Sequence, residues 1–285
     1  MTAVAVVTGA SSGIGKETAK ALAAQGWRII GIGRDPARSA AAEAEIRAVS
    51  RTGQVEFLRG DLSLMAEAAR VAQEIAAHTD RVDILVNNAG GMAKTQIITA
   101  EGFDENFASN HLGPFLLTSR LLPLLRHAAS QAPKGSVRIL NTSSDAGEMI
   151  PGLPWDDLQL LENFNSGRSY CNVKLANVMF ARGLAKRLAA DGIVAHAMHP
   201  GFVDSNFINS APESSKAHML TLKGLTPEQG ADTLVWLATS EEAGQSSGGY
   251  FHQRKPRAPN PFAEDDAAVE RLWAESEKLL SNVAV

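Results

Sequence analysis

The sequence predicts an α/β protein with a doubly wound parallel β-sheet, formed by a single domain over residues 1–285. Short runs of apolar, β-branched residues alternate with longer stretches of helical periodicity along the chain. The runs are apolar at successive positions, as expected for strands that helices cover on both faces. A glycine-rich turn separates the first run from the first helical stretch, which is typical of nucleotide-binding sheets.

The apolar runs predict the strands. Each run has about five residues, the common strand length, and turn-forming or polar residues bound it on both sides. In chain order the strands cover Val4–Thr8, Arg28–Gly33, Val55–Arg59, Val82–Val86, Val137–Thr142, Val194–Met198 and Gly248–Phe251.

Helices are predicted between the strands, because apolar residues recur there every three to four positions. Pro36 and Pro227 favour helix starts. Ser63 is a candidate N-cap. The Gly113-Pro114 pair predicts a break in the longest helix. In chain order the helices cover Lys16–Gln25, a stretch from Pro36, Met65–Ala77, about Glu101 to Ala128, Ser169–Ala190, Pro227–Leu237 and Asp266–Leu280.

Three segments do not follow this alternation. Residues 151–168 contain prolines, glycines and an acidic pair, which is typical of an insertion. Residues 202–224 are polar and are predicted to form a substrate loop. Residues 254–285 form a C-terminal tail with three prolines followed by the terminal helix. We expect that helix, which carries Trp273 on its apolar stripe, to pack on its own domain.

Composition and charge exclude several classes of protein. The net charge of −4 gives no basic surface for nucleic acid. Cys171 is the single cysteine, so neither an internal disulfide nor a cysteine-rich zinc site is expected. The seven histidines show no metal-ligand spacing, and we expect no metal. The sequence contains no apolar run long enough to span a membrane and no signal-peptide pattern, which predicts a cytoplasmic protein.

The segment Thr8–Gly15, TGASSGIG, predicts a phosphate site. In a strand, glycine-rich turn and helix, the backbone N–H groups and the helix dipole face a bound anion. The spacing is GxxxGxG rather than the commoner GxGxxG. A P-loop is excluded, because Ala10 and Glu17 stand where that motif needs glycine and serine or threonine. A tight turn that uses glycine only for its backbone conformation is the alternative.

Arg34 indicates which dinucleotide would bind. In dinucleotide folds an acidic residue near the end of the second strand binds the ribose 2′-hydroxyl, and an arginine accommodates a 2′-phosphate. Gly33 occupies the position where the acid is expected, and Arg34 follows it. Asp35 is either a nearby acid or the cap of the next helix. NADP(H) is therefore predicted in preference to NAD(H).

Tyr170 and Lys174 are four residues apart in a predicted helix and share one face. At about 4 Å and an effective dielectric constant of about 20, an ammonium group attracts a phenolate by about 4 kcal/mol. That attraction would lower the pKa of the tyrosine from about 10 to about 7 at most. Such a tyrosine is a general acid or base for a carbonyl or alcohol. Taken alone, the pair also fits an amphipathic helix with an exposed lysine.

The combination of motifs resembles the short-chain dehydrogenase/reductase family, which has a Rossmann fold, over nearly the whole chain. Within that family the chain is similar to the retinol dehydrogenase-like group, through residues 110–113 (NHLG), 199–201 (HPG) and the stretch from Tyr250 to Trp273. The family motifs, in order, are TGASSGIG at 8–15, NNAG at 87–90, Asn110, Ser143-Ser144, Tyr170-x-x-x-Lys174 and Pro200-Gly201.

The resemblance implies four catalytic residues. Tyr170 would be the proton donor or acceptor, and Lys174 would hold the nicotinamide ribose and lower the pKa of the tyrosine. Ser144, chosen over Ser143, would hydrogen-bond the substrate oxygen. Asn110 would hold a water molecule in a proton relay through Lys174.

The resemblance also implies a set of cofactor-binding residues. Asp61 would meet the adenine amino group or cap the following helix, and Asn87 would contact the adenosine ribose or support the sheet. Ser205 stands where the family usually has threonine. The full set is Gly9, Ser11, Ser12, Gly13, Ile14, Arg34, Asp61, Leu62, Asn87, Ala89, Gly90, Tyr170, Lys174, Pro200, Gly201, Val203 and Ser205.

The activity that the resemblance implies is NADP(H)-dependent hydride transfer between nicotinamide and a small-molecule carbonyl or alcohol, with Tyr170 as the general acid or base. A non-catalytic NADP(H)-binding regulator or scaffold is one alternative. A reductase of C=C bonds, similar to protochlorophyllide reductase, is another. Because members of the family are often dimers or tetramers, a homodimer or homotetramer is expected.

Overall fold

The computed structural model describes residues 2–204, 212, 216, 221 and 223–283. Ser205 and most of the predicted substrate loop at 202–224 lie outside the described residues. Within the described part of the chain, no helix is both long and apolar enough to cross a bilayer.

The centre of the fold is one sheet, in which the described residues form eight strands in the order β3-β2-β1-β4-β5-β6-β7-β8. The first seven run parallel, and β8 pairs antiparallel with β7. The strands are β1 (Val4–Thr8), β2 (Arg28–Gly33), β3 (Val55–Arg59), β4 (Ile84–Asn87), β5 (Arg138–Thr142), β6 (Val194–His199), β7 (Tyr250–His252) and β8 (Lys255–Pro256).

The strand order reverses direction between β1 and β4, which are neighbours in the sheet but not in sequence. In their register Val7 of β1 lies opposite Gly31 of β2 and Val86 of β4. The carboxyl ends of the parallel strands therefore lie along one edge of the sheet. In open α/β sheets, ligands bind at this edge, at the point where the strand order reverses.

Helices cover both faces of the sheet, as the apolar strands require. Helices α1, α2 and α7 cover one face, whereas α3, α5 and α6 cover the other, and α8 packs against α6. The helices are α1 (Gly13–Ala24), α2 (Pro36–Val49), α3 (Met65–His78), α4 (Glu105–Phe107), α5 (Gly113–Ser130), α6 (Ser166–Arg187), α7 (Pro227–Thr239) and α8 (Asp266–Ser281).

The predicted N-cap of α3 is wrong. Leu64, not Ser63, occupies that position, and its side chain makes no capping bond. The Glu101 carboxylate instead accepts hydrogen bonds from the N–H groups of Met65, at 2.6 Å, and Ala66, at 2.9 Å. A carboxylate at a helix N-terminus satisfies free N–H groups and interacts favourably with the helix dipole. Because this acid is distant in sequence, local capping patterns could not identify it.

The predicted break at Gly113-Pro114 is also wrong. The chain continues from α4 through a π-helical turn, Ala108–Leu112, directly into α5. Gly113 allows Leu62 to approach the helix, since a Cβ atom at 113 would lie 2.0 Å from the Leu62 carbonyl oxygen. Pro114 lies in the first turn of α5 and has no N–H, so the helix lacks one backbone hydrogen bond there but is not interrupted.

The C-terminal tail contains a strand that the sequence did not predict. β7 and β8 form a hairpin through Gln253 and Arg254, which both have positive φ, of 49° and 61°. Positive φ at both central residues is the geometry of a type I′ turn, for which Asn-Gly or Asp-Gly is the usual signal. A Gln-Arg turn lacks that signal, so the hairpin could not be read from local sequence.

The terminal helix packs on its own domain, as predicted. The Trp273 ring of α8 lies 4.7 Å from that of Phe115 and 5.8 Å from that of Phe180, measured between centroids. The Arg187 guanidinium lies 3.8 Å from the Trp273 ring centroid. An edge-to-face contact with Phe115, a tilted contact with Phe180 and a cation–π contact thus fix α8 against α5 and α6.

Candidate active site

The glycine-rich turn after β1 brings the backbone close to neighbouring strands. Gly9 and Gly13 have φ values of +66° and +56°, in the left-handed region that favours glycine. Gly15 permits close packing, because a Cβ atom there would lie 2.4 Å from the Gly9 carbonyl oxygen. The turn leads directly into the N-terminus of α1. This arrangement of backbone N–H groups and helix terminus can hold a phosphate.

Two adjacent asparagines tie the strand ends together, and only one was assigned from the sequence. Asn87 donates from Nδ2 to Thr118 Oγ1, at 3.0 Å, and to Asn141 Oδ1, at 3.1 Å, contacts that support the sheet. Asn88 donates to the Thr8 carbonyl, at 3.1 Å, and accepts from Thr142 Oγ1, at 3.2 Å. It thereby connects the ends of β1 and β5. Sequence reasoning missed Asn88, although it follows Asn87 in the same motif.

Thr8 fixes the start of the segment that continues to Ala89 and Gly90. Its Oγ1 accepts hydrogen bonds from the N–H groups of Asn88 and Ala89, both at 2.9 Å, and donates to the Val86 carbonyl at 3.2 Å. The side chain is fully buried. This threonine, predicted as the end of β1 and the first residue of the glycine-rich segment, therefore holds the end of β4 against the glycine-rich turn.

Arg34 and Asp61 lie at the far end of the site, beside a cavity of about 650 Å³. Arg34 Nη1 is 3.7 Å from both Asp61 Oδ2 and Glu105 Oε1, and its side chain is 64% exposed. Asp61 also accepts hydrogen bonds from the N–H and hydroxyl groups of Ser63. Leu62 is buried. The cavity is further lined by Phe57, Leu58, Arg59, Leu64, Glu67, Arg70 and Glu74.

The end of β2 carries no side chain where an acid would be expected, because residue 33 is glycine. A Cβ atom at Gly33 would lie 2.2 Å from Ser39 Oγ and 3.2 Å from Ser11 Cβ. Ser39 Oγ is buried and has no hydrogen-bond partner among the described residues. Asp35 is the N-cap of α2 and accepts from the Arg38 N–H at 2.8 Å. Of the two alternatives for Asp35, the structure shows the helix cap.

Ser144, Tyr170 and Lys174 come together where β5 ends beside α6. Ser144 shares a side-chain hydrogen bond with Tyr170. Lys174 Nζ lies 5.4 Å from the centroid of the Tyr170 ring and donates to the Thr142 carbonyl at 3.3 Å. Ser143, by contrast, is buried and donates to the Lys174 carbonyl at 2.6 Å. Ser144 therefore faces the tyrosine, while Ser143 anchors α6.

The ionisation of this group differs from the sequence-based expectation. Burial raises the pKa of Tyr170 above its ordinary value, and the hydrogen bond with Ser144 opposes that rise. Burial also lowers the pKa of Lys174 from 10.5 to about 8. The expected lowering of the tyrosine pKa by the lysine is not found, because Lys174 lies over the ring and desolvation dominates. Tyr170 is therefore protonated at neutral pH.

Asn110 is held in the π-helical turn and faces Gly90. Its Nδ2 donates to the carbonyl of Asn106, at 2.9 Å, and to that of Gly91, at 3.1 Å. Asn106 in turn donates to Ser169 Oγ, at 2.7 Å, next to the tyrosine in α6. Asn110 Oδ1 is buried without a partner among the described residues, and a Cβ atom at Gly90 would lie 2.3 Å from it.

The segment after β6 closes the other side of the site. Gly201, which follows Pro200, has a φ of +83°. Val203 then pairs with Leu225 in a parallel bridge. A Cβ atom at Gly230 of α7 would lie 2.6 Å from Val203 and 3.2 Å from Ile14. Val203 and Ile14 of the glycine-rich segment therefore both pack closely against Gly230 of α7.

Comparisons with known proteins agree with this arrangement. The model of the short chain dehydrogenase family matches residues 3–216. Retinol dehydrogenase 13 from Homo sapiens is 38% identical over 283 residues, which cover 96% of this chain and 83% of that protein. An uncharacterised protein from Mycobacterium paratuberculosis has a TM-score of 0.76 and 29% identity, covering 98% of this chain and 93% of its own. The Pseudomonas aeruginosa RhlG/NADP active-site complex has a TM-score of 0.70 and 27% identity. The match covers 87% of this chain and 93% of that chain.

The fold and the family match together define an oxidoreductase of the Rossmann type. The chain belongs to the short-chain dehydrogenase family, and within it the chain is similar to the retinol dehydrogenases. The predicted family, group and fold class are thus confirmed. Among the described residues, no group of histidine, cysteine and acidic side chains is placed to hold a metal ion.

Proposed function

We propose that the protein is an NADP(H)-dependent oxidoreductase that interconverts a carbonyl compound and its alcohol, with Tyr170 as the general acid or base. The observation that carries this proposal is the convergence of Ser144, Tyr170 and Lys174 at the carboxyl ends of the strands. The glycine-rich turn reaches the same edge of the sheet. A cofactor lying along that edge would bring its reactive ring to the tyrosine.

The residues present fit a dinucleotide. Gly9 and Gly13 leave the backbone accessible to the pyrophosphate together with Ser11, Ser12 and Ile14 at the start of α1. Gly90, Pro200, Gly201 and Val203 border the path toward the nicotinamide. When bound, the nicotinamide supplies or accepts the hydride.

The preference for NADP(H) is supported by the corner formed by Ser11, Gly33, Arg34 and Ser39. Position 33 is glycine and therefore carries no acidic side chain that would repel a 2′-phosphate. The unpartnered Ser39 hydroxyl can donate to a phosphate oxygen. The exposed Arg34 guanidinium supplies the positive charge that a 2′-phosphate needs.

Side chains of the protein would transfer the proton to and from the substrate oxygen. Tyr170, protonated at neutral pH because burial raises its pKa, would donate to the carbonyl oxygen in reduction. Ser144 would stabilise the developing negative charge on the same oxygen. Lys174, whose pKa lies at about 8, would be positively charged in most molecules at neutral pH and would donate hydrogen bonds to the nicotinamide ribose.

The central experiment measures the oxidation of NADPH and NADH against aldehydes, ketones and diketones, with Tyr170→Phe as the comparison. We expect the native chain to turn over at least one of these compounds. Tyr170→Phe should reduce that turnover at least about a thousandfold, because the variant lacks the general acid. Binding of NADPH by the variant should be unchanged. Reduction of C=C bonds alone, or NADPH binding without turnover of any carbonyl or alcohol, would contradict the proposal.

The cofactor preference is tested separately with Arg34→Ala. We expect the Kd of NADPH, measured by fluorescence titration, to rise about tenfold, which corresponds to about 1.4 kcal/mol. The Kd of NADH should change less than about twofold. Arg126→Ala is the control, because Arg126 is 52% exposed and pairs with Asp191 near the amino ends of the strands. Equal effects of Arg34→Ala on both cofactors would contradict the role in 2′-phosphate binding.

A further inference from the structure

An acidic side chain stands at the mouth of the site, beside the residue that would meet the substrate oxygen. Asp145 directly follows Ser144, and its side chain is 55% exposed. The Ser144 hydroxyl donates to Asp145 Oδ1 at 3.1 Å. The resemblance on which the catalytic residues were assigned did not include Asp145, and no local sequence motif marks it.

His199 holds this carboxylate in place. The Asp145 N–H donates to His199 Nδ1 at 3.3 Å, and His199 Nε2 lies 3.4 Å from Asp145 Oδ2. Because Nδ1 accepts a hydrogen bond, the proton of the neutral imidazole is on Nε2, facing the carboxylate. Burial lowers the pKa of His199 well below its usual value, so the ring is neutral at neutral pH.

A second histidine fixes His199 itself. The His252 ring stacks on that of His199 with a centroid distance of 4.7 Å, and its Nδ1 donates to the His199 carbonyl at 3.0 Å. His199 is 7% exposed, so it has little freedom to move. The carboxylate of Asp145 therefore has a defined position beside Ser144, although half of its surface is in solvent.

We propose that Asp145, positioned by His199, selects the substrate by charge: it disfavours carbonyl compounds with a carboxylate next to the reacting carbon and favours their neutral counterparts. The inference rests on the proposed function, since it concerns the substrate that Ser144 and Tyr170 would hold. It adds a chemical class to that function, namely neutral carbonyl compounds.

The distances make this selection effective. A substrate oxygen that accepts the Ser144 hydroxyl proton in place of Asp145 lies within about 6 Å of Asp145 Oδ1. A carboxylate on the neighbouring carbon lies in the same region, and like charges at such distances repel appreciably near a protein surface. Arg257 also interacts electrostatically with Asp145, but its guanidinium is hydrogen-bonded to Glu148 at 2.7 and 2.8 Å. Glu148 balances the charge of Arg257, so the three side chains together keep one net negative charge.

The test compares benzoylformate with its methyl ester, which differ at the group next to the ketone chiefly by one negative charge. The ratio of kcat/KM for ester over acid is measured with NADPH in the native chain, Asp145→Asn and Asp80→Asn. Asp145→Asn removes the charge but keeps an oxygen that can accept from Ser144. Asp80→Asn removes an exposed charge just before β4, at the amino ends of the parallel strands and away from the site. Urea unfolding verifies that each variant is folded.

We expect Asp145→Asn to reduce the preference for the ester about tenfold, equivalent to about 1.4 kcal/mol, and Asp80→Asn to leave it unchanged. An unchanged ratio in Asp145→Asn, or an equal shift in Asp80→Asn, would overturn the inference. The Kd ratio of the same two compounds, measured by calorimetry with NADP+ present, repeats the test without turnover. Loss of turnover with every carbonyl tested would refute the proposed function, whereas a Kd ratio insensitive to Asp145→Asn would refute the selection by charge.

Discussion

Replacing Lys174 by methionine should abolish catalysis and stabilise the fold at neutral pH. Lys174 is 5% exposed, and burial lowers its pKa from 10.5 to about 8. Its ammonium group donates to the Thr142 carbonyl at 3.3 Å, but Asn177 also donates to that carbonyl, at 3.1 Å. Removal of the lysine therefore leaves the carbonyl with a partner. Methionine fills a similar volume without a charge.

The magnitude follows from the difference in pKa between the folded and unfolded chains. A depression from 10.5 to about 8 means that the folded state disfavours the charged lysine by about 3 kcal/mol at pH 7. Between these two pKa values the unfolded chain binds more protons, so native stability rises with pH in that window. The destabilisation by Lys174 is thus complete below about pH 8 and disappears above about pH 10.5.

Loss of the hydrogen bond from Lys174 offsets about 1 kcal/mol, so we expect Lys174→Met to gain about 2 kcal/mol at pH 7. That gain should fall by about 2.5 kcal/mol between pH 7 and pH 10. Urea unfolding followed by tryptophan fluorescence at pH 7, 9 and 10 measures both quantities. Lys278→Met, which removes a lysine whose side chain is 75% exposed, should show little change at any of these pH values. A variant less stable than the native chain at pH 7, or a gain independent of pH, would refute the assigned cost of burial.

Two further substitutions test the packing around the site. Gly90→Ala should lower kcat/KM about tenfold or more, because its Cβ would lie 2.3 Å from Asn110 Oδ1 at a φ of +146°. Gly102→Ala, at a φ of +85° with no atom within 4 Å, is the matched control and should cost stability but not activity; equal activity losses would contradict the Asn110 contact. Trp273→Ala should lower the free energy of unfolding by about 3 kcal/mol in urea, because it removes the aromatic contacts that attach α8. A loss below about 1 kcal/mol would mean that α8 contributes little to the fold.

The sheet and most helices could be predicted because their signals are local. The β-branched runs at Val4–Thr8, Arg28–Gly33 and Val55–Arg59 are strands with the predicted bounds. The helix from Pro36 has the proline start and the Asp35 cap that the local sequence indicates. Features that depend on distant residues could not be predicted in the same way. The carboxylate of Glu101 that caps α3 is an example, because it lies 36 residues from Met65.

The candidate site was predictable where residue spacing reflects geometry. Tyr170 and Lys174 were found because four residues in a helix place two side chains on one face. The contact of Asp145 with His199 joins residues 54 positions apart and could not be read from spacing. The expected effect of Lys174 on the tyrosine was wrong for a related reason. It assumed a charge about 4 Å from the phenol oxygen, whereas the ammonium lies over the ring and burial outweighs it.

Several groups that cost free energy in this fold share one edge of the sheet. Lys174 is a buried amine, and the buried oxygens of Ser39 and Asn110 have no partner among the described residues. A buried polar atom without a hydrogen bond costs about 1–3 kcal/mol, and stable folds contain few of them. Ser39 lies at the corner proposed for the 2′-phosphate, and Asn110 lies beside Gly90 on the proposed path of the nicotinamide. A ligand that hydrogen-bonds these atoms would regain part of that free energy on binding.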